Sequence, residues 1–267
     1  MVALRIRAYS LRRTQRDRGI GLKHYVLHPK AASEPGWSEA WWWLGIPIAT
    51  AVAIFAIYLI SPEFYRARML PEGYGILELS HFLIPLAGFF ICLSLFSTIP
   101  VKSWPLLRTA IVFFAISCFY IAGEEHSWGQ WFFYWDTPEL WGRINRQNET
   151  NLHNTFVLFN QLPQNILRMA IVIGGIILPL SSRARRFVAR YPIIVALTPP
   201  AAIVPVAVTA IVFSGIVTIQ KSGLVDEILA RPSEAAETFY YMFILFYLIM
   251  LRRRLRHQQA DVVVPRS

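Results

Sequence analysis

Six long apolar runs alternate with short polar or basic stretches along the 267-residue chain, and this pattern dictates its architecture. Roughly 20 apolar residues in a helix are enough to cross the ~30 Å hydrocarbon core of a bilayer. Runs of that size occur at about residues 41–60, 76–98, 105–122, 163–180, 192–219 and 235–251. The expected fold class is therefore all-α, a polytopic integral membrane bundle of about six transmembrane helices with one interfacial helical segment. Six crossings return both ends of the chain to the same side. No period of 20–50 residues recurs, which excludes a repeat array. Pro199, Pro200 and Pro205 are expected to bend the fifth span. Three regions follow: a basic tail at 1–40, a membrane domain at 41–251 with an outward segment at 123–162, and a second basic tail at 252–267.

Composition and charge refine this picture. Hydrophobic residues make up 55% of the chain, which is high for a soluble domain. A formal charge of +10 would suit nucleic acid if it formed one patch, but the basic residues lie in tails and loops beside the apolar runs. Segments 1–40, 99–108, 181–191 and 252–267 hold 19 Lys and Arg, and the segments on the opposite side hold 7. That excess marks the cytoplasmic side of a membrane protein. The expectation is an inner-membrane protein with both termini in the cytoplasm, contacting lipid headgroups, with no nucleic-acid partner. Cys92 and Cys118 fall inside spans and read as packing residues rather than as a disulfide or metal framework.

One polar stretch stands out. Gly123 to Asn154 interleaves Glu124, Glu125, His126, Ser127, Gln130, Glu149, Asn151 and His153 with Trp128, Trp131, Phe132, Phe133, Tyr134 and Trp135. Its aromatic density is that of an interfacial belt, and Asp136 or Thr137 followed by Pro138 and Glu139 reads as a helix start. Alternation of six spans brings Glu78 and His81, at the start of the second, and Glu234 and Glu237, at the start of the sixth, to the same outer level. An ionisable group at the centre of a spanning helix costs ~2.5–3.5 kcal/mol, so such groups usually face a bundle interior or a wet cavity. Glu78 and His81 are three residues apart and share a helix face. If the third span continues as a regular helix, Tyr120, Glu124, Ser127 and Trp131 align, while Glu125 turns about 100° and His126 about 200° away. Glu124 is then the inward residue, with His126 and Gln130 bonding a neighbouring segment. Glu149 and His153 share a face if the residues between them are helical.

These residues carry the inventory of a metal site. His81, His126 and His153 match the ligands of a catalytic zinc, with Glu78 or Glu124 as general base and Ser127 stabilising an oxyanion. Glu78-Leu-Ser-His81 has the E-x-x-H spacing of di-iron centres, but the chain offers one such motif where the ferritin-like pattern uses two. A metal-free acid/base site at Glu124 and Glu125 also stays open. The function expected is a metal-assisted hydrolase or transferase acting on a lipid or lipid-linked substrate. The alternatives are a non-catalytic membrane assembly protein and a proton-coupled transporter.

The pair GEEHSWGQ and NLHN, within residues 123–154, resembles a pattern of uncharacterised bacterial multi-span membrane proteins. The resemblance implies that class of protein and no activity.

Overall fold

The computed structural model of the chain describes residues 41–97 and 105–263. The basic tail expected at 1–40 lies outside the described residues, as does the connection between the second and third spans. The described residues form helices and turns and contain no strand. Among the described residues, six helices are long and apolar enough to cross a membrane: Trp41–Ile60, Ile76–Phe96, Pro105–Glu125, Val157–Leu180, Ala201–Lys221 and Pro232–Arg256. The chain is thus an all-α polytopic bundle and an integral membrane protein.

Burial is inverted relative to a soluble protein, as the sequence pattern requires. Leu59, Leu83, Phe90, Phe113, Ile116 and Val212 point outward on the spans. An apolar mantle of this kind suits hydrocarbon and would aggregate in water. The sixth span is the hub. Of its most apolar window 67% is buried, against at most 33% for any other span, and it packs along the second and fifth helices. Small residues allow the close approach. A Cβ on Gly88 would lie 3.0 Å from Cys118 Sγ and 3.2 Å from Leu248 Cδ1, where the second, third and sixth spans cross. Cys92 and Cys118 are buried free thiols at the same crossing.

Two elements differ from the sequence pattern. The apolar run at 192–219 is a short helix, Pro192–Leu197, a break, and then the fifth span. Proline lacks an N–H and drives the residue before it out of helical backbone, and Thr198, before Pro199, accordingly sits at ψ 123°; Pro200, at ψ 167°, is the extended N-cap of the next helical turn. Exposed carbonyls at membrane depth need donors, which the sixth helix provides. Tyr247 Oη donates to Leu197 O at 2.9 Å, and Arg254 donates to Thr198 O at 2.7 Å and also to Ala196 O. That helix runs unbroken through Val263, so RRRLR continues it.

Candidate functional site

Antiparallel alternation places the starts of the second, fourth and sixth spans and the ends of the third and fifth at one end of the bundle. A cavity of about 290 Å³ opens there, lined by residues of all five, among them Glu78, Glu124, Gln164, Lys221 and Glu234.

Behind its lining lies His81, fully buried. Its Nε2 is 2.9 Å from Glu234 O and 3.0 Å from Thr238 Oγ1. Thr238 spends its own hydroxyl proton on Glu234 O, and a carbonyl can only accept, so Nε2 carries the proton and donates to both. In the neutral ring the lone pair is left on Nδ1. That nitrogen has no hydrogen-bond partner among the described residues and faces Glu125 Oε2 at 3.6 Å and Glu234 Oε2 at 3.9 Å. A lone pair pointed at carboxylates is repulsive unless a cation or a proton lies between them.

The carboxylates around Nδ1 are held from behind. Tyr241 Oη donates to Glu125 Oε1 at 2.7 Å, Arg231 Nη2 to Glu234 Oε1 at 2.8 Å, and Gln164 Nε2 to Glu237 Oε1 at 2.8 Å. For Glu125 and Glu234 the other oxygen is therefore turned toward His81. Arg231 also lies 3.7 Å from Glu78 and 3.5 Å from Glu72. Two sets of potential ligand atoms share the imidazole, Glu78–His81–Glu125 and His81–Glu234–Glu237, each within 4.8 Å. Oriented carboxylates with an outer tier of donors are the usual build of a metal site.

The polar stretch after the third span forms a cap whose construction overturns the regular-helix expectation. The helix ends at Glu125. Ser127, Trp128 and Gly129 then adopt φ of 49°, 56° and 102°, a left-handed turn that only glycine makes without strain. The turn folds Trp128 back over Gly123, where any Cβ would come within 2.7 Å of the indole. Trp128 Nε1 donates to Glu124 Oε1 at 2.7 Å, while Glu124 Oε2 accepts from Leu152 N at 2.7 Å and His153 N at 2.8 Å. Glu124 is thus a buried clamp on the cap, and Glu125, which the helical wheel had turned aside, is the residue that reaches His81.

Residues 149–155 are turns rather than a helix, so Glu149 and His153 diverge. Ser127 Oγ donates to Glu149 Oε2 at 2.8 Å and accepts from Asn151 Nδ2 at 3.0 Å, fully buried within the cap. Asn145 ties this loop, donating to Asn151 O and Asn151 Oδ1 and accepting from the backbone N–H of Gln147 and Glu149. Gln130 does bond the neighbouring segment, accepting from Thr150 N and Thr150 Oγ1. Thr137 donates to Asn148 O, and the short helix begins at Glu139 with Pro138 as its N-cap.

The three histidines do not converge. His126 is packed between Phe82 and Phe132, with ring centroids 5.0 and 3.8 Å away, and neither nitrogen has a partner among the described residues. Burial pushes its pKa down, favouring the neutral ring. His153 Nδ1 lies 3.4 Å from Glu124 Oε2. Burial opposes its charge, but the close approach of the Glu124 carboxylate and the negative charges of Glu125 and Glu149 outweigh it and raise its pKa. Of the expected site residues, Glu78 and His81 belong to the carboxylate group, whereas Glu124, Ser127 and His153 build the cap. Sequence reasoning passed over Arg231, Tyr241 and Arg168, although a lone arginine inside the fourth apolar run was a visible signal. Comparison with family models, curated proteins and solved structures returns no match.

Proposed function

We propose that the protein is a membrane-embedded enzyme, a metal-assisted hydrolase or transferase whose chamber holds a divalent cation on His81 and its surrounding glutamates. The observation that carries this is His81 Nδ1, buried, without a hydrogen-bond partner among the described residues, and aimed at two carboxylates whose far oxygens are already held. One imidazole among Glu78, Glu125, Glu234 and Glu237 is a hard, oxygen-rich ligand set. It suits manganese or iron as well as zinc, and the three-histidine zinc site is set aside because His126 and His153 lie elsewhere. A bound cation would supply Lewis acidity and a water acidic enough to ionise near neutral pH. The chain's own residues orient the carboxylates and enclose the chamber.

A lipid-linked substrate is supported by the apolar mantle and by Phe132, Phe133 and Tyr134, exposed on the cap and following the cavity-lining Trp131 in sequence. The excess of Lys and Arg on the other side favours cytoplasmic termini and an outward-facing chamber. The assembly-protein alternative accounts for Glu124, whose bonds are structural, and requires instead a proton on His81 Nδ1 that pairs it with Glu125 and Glu234.

The test is metal analysis of the purified full chain after supplementation with Zn²⁺, Mn²⁺ or Fe²⁺, beside His81→Ala, Glu125→Gln and, as a cap control, Ser127→Ala. Retention by the wild type and Ser127→Ala, with loss in the other two, is expected. Failure of the wild type to retain any of the three, or full retention by folded His81→Ala, would overturn the proposal.

A further inference from the structure

On the fourth-span side of the chamber the charge changes sign. Arg168 is the single charged residue in Val157–Leu180 and lines the cavity. It makes no ion pair among the described residues. Its Nε donates to Tyr240 Oη at 2.8 Å, and its two terminal nitrogens reach only neutral amide oxygens, Asn165 Oδ1 at 3.3 Å and Gln164 Oε1 at 3.4 Å. A guanidinium has five N–H groups, so the two outer contacts are weak and further donors remain. Lys221, at the end of the fifth span, lines the same cavity and is exposed, with neither hydrogen bond nor ion pair among the described residues. Arg231, the third cation, is by contrast occupied by Glu72, Glu78 and Glu234.

A cation held inside a span with no direct ion pair is costly, and among the described residues Arg168 reaches a carboxylate, Glu237, only through Gln164. An arginine fork is shaped for the paired oxygens of a phosphate. Gln164 connects the two halves of the chamber, accepting from Arg168 and donating to Glu237. Resting on the proposal that the chamber is a metal-assisted substrate site, we infer that Arg168 and Lys221 form an anion subsite for the phosphate group of the substrate. The non-reacting oxygens are held there while the group faces the His81 carboxylates.

Calorimetric titration of the full chain in detergent, with and without Mn²⁺, tests this. The probes are inorganic phosphate, short-chain phosphatidic acid and, lacking the phosphate, short-chain diacylglycerol. Phosphatidic acid should bind and diacylglycerol should not. Arg168→Gln should weaken phosphatidic acid about ten- to a hundredfold, the value of a hydrogen-bonded charge. Arg168→Lys should be intermediate, and Lys221→Gln, at an exposed position that does not threaten folding, should lose affinity by about threefold or more.

Equal binding of inorganic phosphate would mark a soluble phosphate compound as the source, and binding of the lipid alone would mark a headgroup; both support the subsite. Undiminished binding by folded Arg168→Lys and Lys221→Gln, or no binding of either phosphate probe by the wild type, would overturn it. Metal retention separates the two proposals. Arg168-dependent binding in a protein that retains no metal leaves the subsite standing alone, whereas retained metal with Arg168-independent binding removes only the subsite.

Discussion

Replacing Glu124 tests whether the cap is held by one buried carboxylate. Three donors converge on it: Trp128 Nε1, Leu152 N and His153 N, all within 2.8 Å. A hydrogen bond to a charged group contributes about 1.5–3 kcal/mol, but three bonds sharing one acceptor are not additive. Glu124→Ala, which strands all three donors, should favour opening of the cap by about 4 kcal/mol, close to a thousandfold in the opening equilibrium. Glu124→Gln keeps one acceptor oxygen and sets an amide N–H₂ against the remaining donors. It should cost about 1.5–3 kcal/mol, one bond's worth. Amide hydrogen exchange of Leu152 and His153 in detergent reads the opening directly. Exchange in Glu124→Ala within about threefold of the wild type would refute the clamp, since that is under ~1 kcal/mol. Metal retention should meanwhile be spared, because Glu124 accepts from the cap rather than facing His81.

Other perturbations separate the remaining parts. Tyr241→Phe frees Glu125 Oε1 and should weaken metal binding about 10–100-fold with little change in melting temperature without metal, as loss of an outer-tier partner does; a metal titration reads it. Metal at a hundredfold excess over its dissociation constant should add about 2.7 kcal/mol to stability. The resulting rise in melting temperature should vanish with chelator and in His81→Ala. The raised pKa of His153 means that its attraction to Glu124 is fully present below the ordinary value near 6.5 and is lost as pH climbs through the folded value. Cap exchange, corrected for its intrinsic pH dependence, should therefore increase above pH 6.5, and His153→Gln should flatten the profile. Gly88→Val would push side-chain carbon into Cys118 and Leu248 and should destabilise the bundle by about 1–3 kcal/mol, visible as a lower melting temperature.

The spans were legible because lipid imposes one rule on every residue of a long run, and mean hydropathy needs no knowledge of neighbours. The level at which Glu78, His81, Glu234 and Glu237 meet was legible too, since alternation of direction fixes it. The assignment of Glu124 and Glu125 was not. A helical wheel is valid only while the helix lasts, and the turn at Ser127 to Gly129 ends it. Its left-handed backbone is held by Trp128 donating to Glu124, Ser127 donating to Glu149 and Asn151 donating to Ser127, the last two partners lying more than twenty residues downstream. His126 misled for a related reason. A histidine beside two glutamates resembles a ligand, yet Phe82, from another span, claims its face. The break at Pro199 and Pro200 was foreseeable as a bend, but not that Arg254 and Tyr247 would satisfy its carbonyls.

The central position of the sixth span sets a timetable for assembly. Chains are made from the N-terminus onward, so five helices exist before the one on which the second and fifth pack. Until that helix arrives, Arg168 lacks Tyr240, Glu125 lacks Tyr241, and His81 lacks the carbonyl that fixes its proton. The nascent bundle therefore holds unpaired charges within its earlier helices and must tolerate them by remaining loose. Completion of the fold and completion of the site are one late event, and a ribosome that stops short of Pro232 leaves neither.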